Sequence, residues 1–207
     1  MRTKEGNKEK DIIEAAVEVF AREGYHNARI TTIADAAGCS TGSVYLYYES
    51  KEDLLLEIFR RLWQELTTTT AEFVRRTDIG PVAKFEGMLD LFFDLFASNR
   101  PLAIVFVNEQ NHLVQRGTGD FNPLYERYLA LAGEVLAEGR RAGAFNDTID
   151  LKVLLQFAFG GIRNLIHQWA SDPERLPLNT IRRNVKAIFK QGILAPAPTA
   201  GTGKKSR

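Results

Sequence analysis

The sequence predicts an all-α protein with a small N-terminal helix-turn-helix unit and a larger C-terminal helical domain. Three observations carry this expectation. Apolar residues recur at helical rather than alternating spacing over most of the 207 residues, and only seven prolines interrupt them. The stretch 30–51, ITTIADAAGCSTGSVYLYYESK, reads as two short helices joined by a tight turn. From about residue 56 onward, long and strongly apolar helices carry more apolar mass than a three-helix unit can bury.

The first helix is expected from about Lys8 to Arg22, with Ile12, Ala16, Val19 and Phe20 as its core stripe and Gly24 closing it. The polar residues 1–7 before it are expected to be disordered. Tyr25 is expected to pack beneath the next two helices, and His26 to be a solvated loop residue. Ile33, Ala34, Ala36 and Ala37 form a small apolar face on the second helix. Gly38 follows where a helix closes in the left-handed conformation, and Ser40 is placed to cap a third helix, Thr41 to about Tyr48. So short a turn between small-faced helices forces a close, steep crossing. In that geometry the second helix is usually the one that enters the DNA major groove.

The residue types there suit such a role. Ser40, Thr41 and Ser43 offer short hydroxyls, and Gly42 removes bulk where a helix N-terminus would approach a phosphate or base edge. Val44 is expected to point inward. Tyr45, Tyr47 and Tyr48 are too aromatic for an exposed helix without a partner. Ser50 caps the next helix, with Glu52 and Asp53 in its first turn, and Lys51 beside the free N–H groups is a candidate phosphate clamp. The same residues could also build an ordinary three-helix core.

A long helix, about Lys51 to Arg76, carries Leu54, Leu55, Ile58, Leu62 and Leu66 on one side and joins the two regions as a potential lever. Thr67–Thr70 marks its fading, and the run from Thr77 to Pro81 breaks it. The next helix, about Val82 to Ser98, is apolar on most sides, with Phe85, Met88, Leu89, Phe92, Phe93 and Phe96. Asn99-Arg100-Pro101 stops and restarts the chain, and Leu102–Val107 continues the apolar theme into a polar block at 108–112. Further helices are expected at about Asn122 to Arg141, Leu151 to Ala170 and Leu178 to Ile193. The adjacent Gly160 and Gly161 cost roughly 1 kcal/mol each against alanine, which suggests close packing of another helix or of a ligand. The Ala/Pro/Thr/Gly tail from 195 to 207 is expected to be disordered. On the residues alone, the aromatic stripe is either plain core and dimer interface or the wall of a pocket for an apolar small molecule.

Several classes are excluded or disfavoured. Metal-ligand spacing is missing among His26, His112, His167 and Cys39, as are phosphate-loop and dinucleotide fingerprints, so neither a metal nor a cofactor nor an enzyme is expected. Gly42-Ser43 does not sit at a strand–helix elbow. A single cysteine, read as a small packing residue, rules out an internal disulfide framework. With no membrane-length apolar run and no signal-peptide pattern, the expectation is a cytoplasmic protein without a membrane partner. Net charge is only +1, and residues 1–51 hold seven Lys or Arg against eight Asp or Glu. This counts mildly against DNA binding and favours the alternative of a ligand carrier or interaction protein. Arrangement can reverse it if helix N-termini, hydroxyls, Lys51 and the arm Arg2, Lys4, Lys8 and Lys10 meet phosphate while the acids face away.

The order A-x-x-A-G-C-S-x-G-S-V-Y-x-Y-Y-x-S-K-E-x-L, from Ala34 to Leu54, resembles the DNA-binding domain of the TetR family of transcriptional regulators. The resemblance runs from about Asp11 to about Leu55. It implies a disordered arm at 1–7, a DNA-binding domain at 8–55, an effector-binding and dimerisation domain at 56–194, and a disordered tail at 195–207. The implied activity is repression, by a homodimer on a near-palindromic operator in double-stranded DNA. Arg29, Thr31 and Thr32 would then meet DNA alongside Ser40, Thr41, Gly42, Ser43, Tyr45, Tyr47 and Lys51. An effector cavity would be surrounded by Phe92, Phe93, Phe96, Val105, Phe106, Tyr128, Phe157, Gly161 and Trp169. The last two helices would form a four-helix dimer bundle, with Ile162, Ile181 and Ile188 at the interface.

Three later segments are similar to the subgroup that represses fatty-acid degradation and answers to long-chain acyl-CoA. They are Pro101–Val105, Leu136–Phe145, and Phe159-Gly160-Gly161 followed by Gln168-Trp169. That similarity implies an acyl chain in the apolar region and CoA phosphates near Arg100, Arg116, Arg127, Arg140, Arg141 or Arg163.

Overall fold

The computed structural model describes residues 8–116 and 121–193, so the expected disorder of the N-terminal arm and of the tail lies outside the described residues. Within them the chain forms helices α1 (Lys8–Glu23), α2 (Ile30–Ala36), α3 (Thr41–Tyr45), α4 (Lys51–Val74), α5 (Pro81–Ala97), α6 (Arg100–Arg116), α7 (Phe121–Arg141), α8 (Leu151–Ser171) and α9 (Leu178–Ile193).

The first three helices close around the buried side chains Ile12, Ala16, Val19, Phe20, Ile33, Ala34 and Val44, against Leu54, Leu55 and Ile58 of α4. Ile33 and Ala34 lie inside as expected, but Ala36 is exposed, because α2 ends there and turns its last residue to solvent. Gly38 adopts φ +63°, which lets the Cys39 N–H reach back to the Ala34 carbonyl at 3.0 Å. Ser40 then caps α3, its Oγ accepting the Ser43 N–H at 3.1 Å.

The third helix is shorter than the expected Thr41–Tyr48. After Tyr45 the ladder tightens, with the Tyr47 N–H donating to the Val44 carbonyl three residues back, and the chain turns Tyr48 into the core. Burial and the nearby Glu9 carboxylate push the Tyr48 phenol pKa upward, so the ring stays neutral while its hydroxyl donates to Glu9 at 3.4 Å.

α4 runs unbroken from the Ser50 cap, whose Oγ accepts the Asp53 N–H at 3.1 Å. The threonine run does not weaken it, because Thr67 and Thr70 are buried against neighbouring helices. Pro81 opens α5 at a position where a missing N–H is harmless. Asn99 opens α6 by accepting the Leu102 N–H at 2.9 Å, and Asp150 opens α8 by accepting the Val153 N–H at 3.0 Å.

In the larger domain α4 packs on α5 and α7, α6 on α8, and α9 on α5 and α8. The domains are joined by α4, which belongs to both, and by α6, which lies against α1. Trp63, fully buried on α4, is the hub of the larger core. Its ring centroid lies 5.1 Å from that of Tyr125, 5.5 Å from Tyr128 and 6.0 Å from both Phe106 and Phe159.

Candidate functional site

Three surfaces stand out. The first surrounds α3. Tyr45 and Tyr47 project into solvent, 54% and 42% exposed, and Leu46 between them is 84% exposed. Ser40, Gly42, Arg29 and Thr31 are also exposed, while Thr32, Thr41 and Ser43 are half-buried. The Ser40 and Ser43 hydroxyl oxygens lie 2.9 Å apart, so the two side chains share one hydrogen bond and leave lone pairs and N–H groups at the helix start for an outside partner. The three tyrosines therefore divide: Tyr48 is core, while Tyr45 and Tyr47 are surface. Leu46 is not among the residues that the sequence singles out for this surface. A lone leucine inside a polar, aromatic exposed turn was the available signal.

Lys51, expected as a phosphate clamp, is also a strut within the protein. Its ammonium donates to the carbonyls of His26 and Ala28, both at 3.0 Å, and stands 4.8 Å from the centre of the Tyr25 ring. Two of its three protons thus tie the loop after α1 to the start of α4, and one is left for a phosphate. Tyr25 is buried under this strut, edge-on to Phe20 at 5.4 Å.

A charge network continues behind this region. Glu57 accepts from Arg60 and, at 2.6 Å, from Arg61, and Arg61 also pairs with Glu9 of α1. Burial alone would raise the Glu57 pKa, but the hydrogen bonds and charges of the two arginines outweigh it and hold the carboxyl below its usual range.

The second surface is an apolar slot of about 60 Å³ between α5, α7, α8 and α9. Its walls include Met88, Leu89, Phe92, Tyr128, Phe159 and Ile162. Of the residues expected around a cavity, Phe92 and Tyr128 line it. Phe93, Phe96, Val105 and Phe106 are instead packed solid beside it, with the Phe96 and Phe106 rings 4.8 Å apart. Trp169 is buried away from the slot. Phe157 and Gly161 do not belong to it: Phe157 is 75% exposed, and Gly161 faces open space. The helical phase of α8 explains this. Phe159 turns inward and Phe157, two residues earlier, turns outward. Desolvation pushes the Tyr128 phenol pKa upward, keeping it neutral against the apolar wall.

The third surface is that outward side of α8 and α9. Val153 (64% exposed), Phe157 and Ile188 (62% exposed) are large apolar groups left uncovered by the described residues, and Gly160 and Gly161 have none of those residues against their backbone. Ile162 and Ile181, expected here, are buried in the protomer core, so only Ile188 of the three isoleucines is available to a partner.

The arginines also sort themselves. Arg100 donates to the Ala170 carbonyl at 2.9 Å, Arg163 to the Val107 carbonyl at 3.4 Å, and Arg140 to the carbonyls of Asn146 and Ile149. Arg141 and Arg127 are exposed, and the Arg116 side chain lies outside the described residues. Neither a group of metal-binding side chains nor a helix long and apolar enough to cross a membrane is found among the described residues.

A capped helix-turn-helix with an exposed polar and aromatic face, linked through one long helix to an all-helical domain with an apolar slot, defines a one-component DNA-binding regulator. Residues 12–58 match the family described as bacterial regulatory proteins, tetR family, and residues 61–192 match the YsiA-like protein C-terminal region. The chain belongs to the TetR family, as a DNA-binding transcriptional repressor that dimerises and responds to a small molecule. It is similar to the fatty acid metabolism regulator protein of Bacillus subtilis strain 168, with 29% identity over 88% of this chain and 93% of that one. It is also similar to the repressor KstR2 of Rhodococcus jostii RHA1, at 24% identity over 90% and 91%. Among solved structures, the fatty acid degradation regulator FadR of Bacillus halodurans superposes with TM-score 0.80 at 28% identity, covering 92% of this chain and 98% of that one. FadR of B. subtilis in complex with stearoyl-CoA gives TM-score 0.78 at 28% identity, covering 89% and 98%.

Proposed function

We propose that this chain is a cytoplasmic, non-enzymatic repressor whose homodimer holds a near-palindromic operator until a long-chain acyl-CoA releases it. The observation that carries this reading is the apolar slot between α5, α7, α8 and α9, in a fold like that of a relative solved with stearoyl-CoA. The slot at about 60 Å³ has room for only about two waters. A long acyl chain must therefore part α8 from α5 and α7 to enter, which makes binding and rearrangement one event.

The DNA contacts on this reading are Arg29, Thr31, Thr32, Ser40, Thr41, Gly42, Ser43, Tyr45 and Tyr47, with Lys51 contributing its one remaining proton. The two copies pair through the uncovered side of α8 and α9, which places two reading heads on one symmetric site.

The test is a titration of acyl-CoAs of increasing chain length into the protein–operator complex. Each methylene buried contributes about 0.8 kcal/mol, roughly fourfold in affinity, until the slot is full. Release must therefore sharpen with chain length. No release at any length removes acyl-CoA as effector, and release by short polar compounds removes the apolar slot as the effector site.

A further inference from the structure

The outer side of α4 and the first turns of α7 enclose a groove of about 570 Å³, far larger than the apolar slot and within the about 300–1,000 Å³ of small-molecule sites. Its polar lining comes from Arg60, Gln64, Thr68 and Glu72 of α4, Arg75 just past its end and Arg127 of α7. The α4 residues and Arg75 recur three or four apart, so they form one stripe along about 22 Å of helix and its cap. Three guanidiniums face one carboxylate.

Elsewhere on α4 and the turn after it, arginines are neutralised: Arg61 by Glu57 and Glu9, Arg76 by Asp78. Arg75 and Arg127 make no ion pair among the described residues, yet they line the same groove. Two unpaired guanidiniums in one concavity repel each other unless an anion lies between them, and their fork geometry suits phosphate. Of the other arginines that could serve, Arg100, Arg140 and Arg163 are spent on backbone carbonyls.

We propose that the α4–α7 groove holds the phosphorylated head group of the amphipathic effector, gripped by Arg75 and Arg127 with Arg60 at one end. This rests on the acyl-CoA reading of the slot. The two sites are close: Leu124 lines the groove and Tyr128, one helical turn further along α7, lines the slot. Leu124 and Tyr128 stand about one 5.4 Å turn apart along α7, so the arm that joins tail to head would pass between α4 and α7.

The groove is also wired to the DNA-binding domain. Arg60 donates to Glu57, Glu57 also holds Arg61, Arg61 pairs with Glu9 of α1, and Glu9 accepts the Tyr48 hydroxyl. A phosphate that draws Arg60 from Glu57 loosens the network that fastens α1 and the end of the reading unit to α4.

The test uses full-length protein and calorimetric titration with palmitoyl-CoA, free coenzyme A, inorganic pyrophosphate and palmitate. The variants are Arg127→Ala and Arg75→Ala/Arg127→Ala, whose exposed side chains make no ion pair or hydrogen bond among the described residues, so their melting temperature should match the wild type. Losing a charged hydrogen-bond partner costs about tenfold per arginine, so the double variant should bind palmitoyl-CoA and free coenzyme A about a hundredfold more weakly. Palmitate affinity should stay unchanged. Binding of pyrophosphate as strong as that of coenzyme A, and equally sensitive to the variants, assigns the groove to free phosphorylated anions and overturns the head-group assignment. Unchanged coenzyme A affinity in the double variant, or an equal loss for palmitate, also overturns it. Affinity that ignores chain length but still collapses in the double variant supports the groove as a phosphate site and removes the acyl reading of the slot instead.

Discussion

Phe157 and Phe159 sit two residues apart on α8 and face opposite ways, which makes Phe157→Ala a sharp probe of the dimer surface. Phe157 is 75% exposed and belongs to no part of the protomer core. A phenylalanine carries about 150–250 Å² of surface, so about 110–190 Å² of this one is available to a partner. At about 25 cal/mol per Å², and allowing for the surface that alanine keeps, truncation forfeits about 2 kcal/mol per protomer. Two symmetric copies forfeit about 4 kcal/mol, about a thousandfold in dimer dissociation constant. Sedimentation equilibrium across a dilution series reads this directly. Protomer melting measured well below the dissociation constant should not change, and operator affinity should fall with the dimer population. A Phe157→Ala protein that stays dimeric at wild-type dilution, or that melts early as a monomer, would show that the pairing face lies elsewhere.

Three further outcomes are expected. Lys51→Met should lower thermal stability as well as operator affinity, because two carbonyls lose a charged donor worth about 2 kcal/mol in all; calorimetric melting that is unchanged while DNA binding collapses would return Lys51 to a pure phosphate clamp. Phe159→Ala should cost about 3 kcal/mol in denaturant unfolding and widen the slot, moving the chain-length optimum of any acyl ligand upward; an unmoved optimum would place the chain terminus away from Phe159. The Glu57 carboxyl is depressed in the folded state, so its contribution is complete above the ordinary glutamate range near about 4.3 and is lost as pH falls through the folded value. Stability of the wild type should therefore fall more steeply with acid below about pH 5 than that of Glu57→Gln, and parallel profiles in denaturant melts at stepped pH would contradict this.

Helix positions and caps were legible because they depend on local chemistry. Ser40, Ser50 and Asp150 cap where the sequence places a side-chain oxygen ahead of an apolar run, and Gly38 takes the left-handed conformation that its position at the end of α2 requires. Side-chain direction was less legible. Phe157 and Phe159 are the same residue type in the same helix, and only the helical phase set by tertiary packing sends one into the slot and the other to the surface. Ile162 and Ile181 looked as available for pairing as Ile188, but α8 and α9 pack their first two against the protomer. Lys51 stands at a helix start, where the sequence alone offers it to a phosphate. Its actual partners are carbonyls 23 and 25 residues earlier, a contact that spacing along one helix cannot reveal. The groove was invisible for the same reason, since Arg75 and Arg127 come to line one concavity only through the packing of α4 on α7.

The two domains are joined in a way that lets a small ligand change matter to DNA. Trp63 of α4 touches rings on α6, α7 and α8 at once, and two of its neighbours, Tyr128 and Phe159, are also slot walls. Such a cluster is close-packed and cannot absorb a ligand by local compression, so parting the slot walls moves rings that bear on Trp63 and Phe106. Phe106 rides on α6, and α6 lies against α1, the first helix of the reading unit. Displacement alone does not release DNA, however. The effector must bind the DNA-incompetent arrangement more tightly than the competent one, and operator affinity falls only by that preference. In a symmetric dimer the two preferences multiply. A hundredfold loss of operator affinity then needs only about tenfold discrimination at each site, about 1.4 kcal/mol per protomer. That is less than the transfer of two methylenes into an apolar wall, so a slot that opens slightly wider in one arrangement than in the other is sufficient to run the switch.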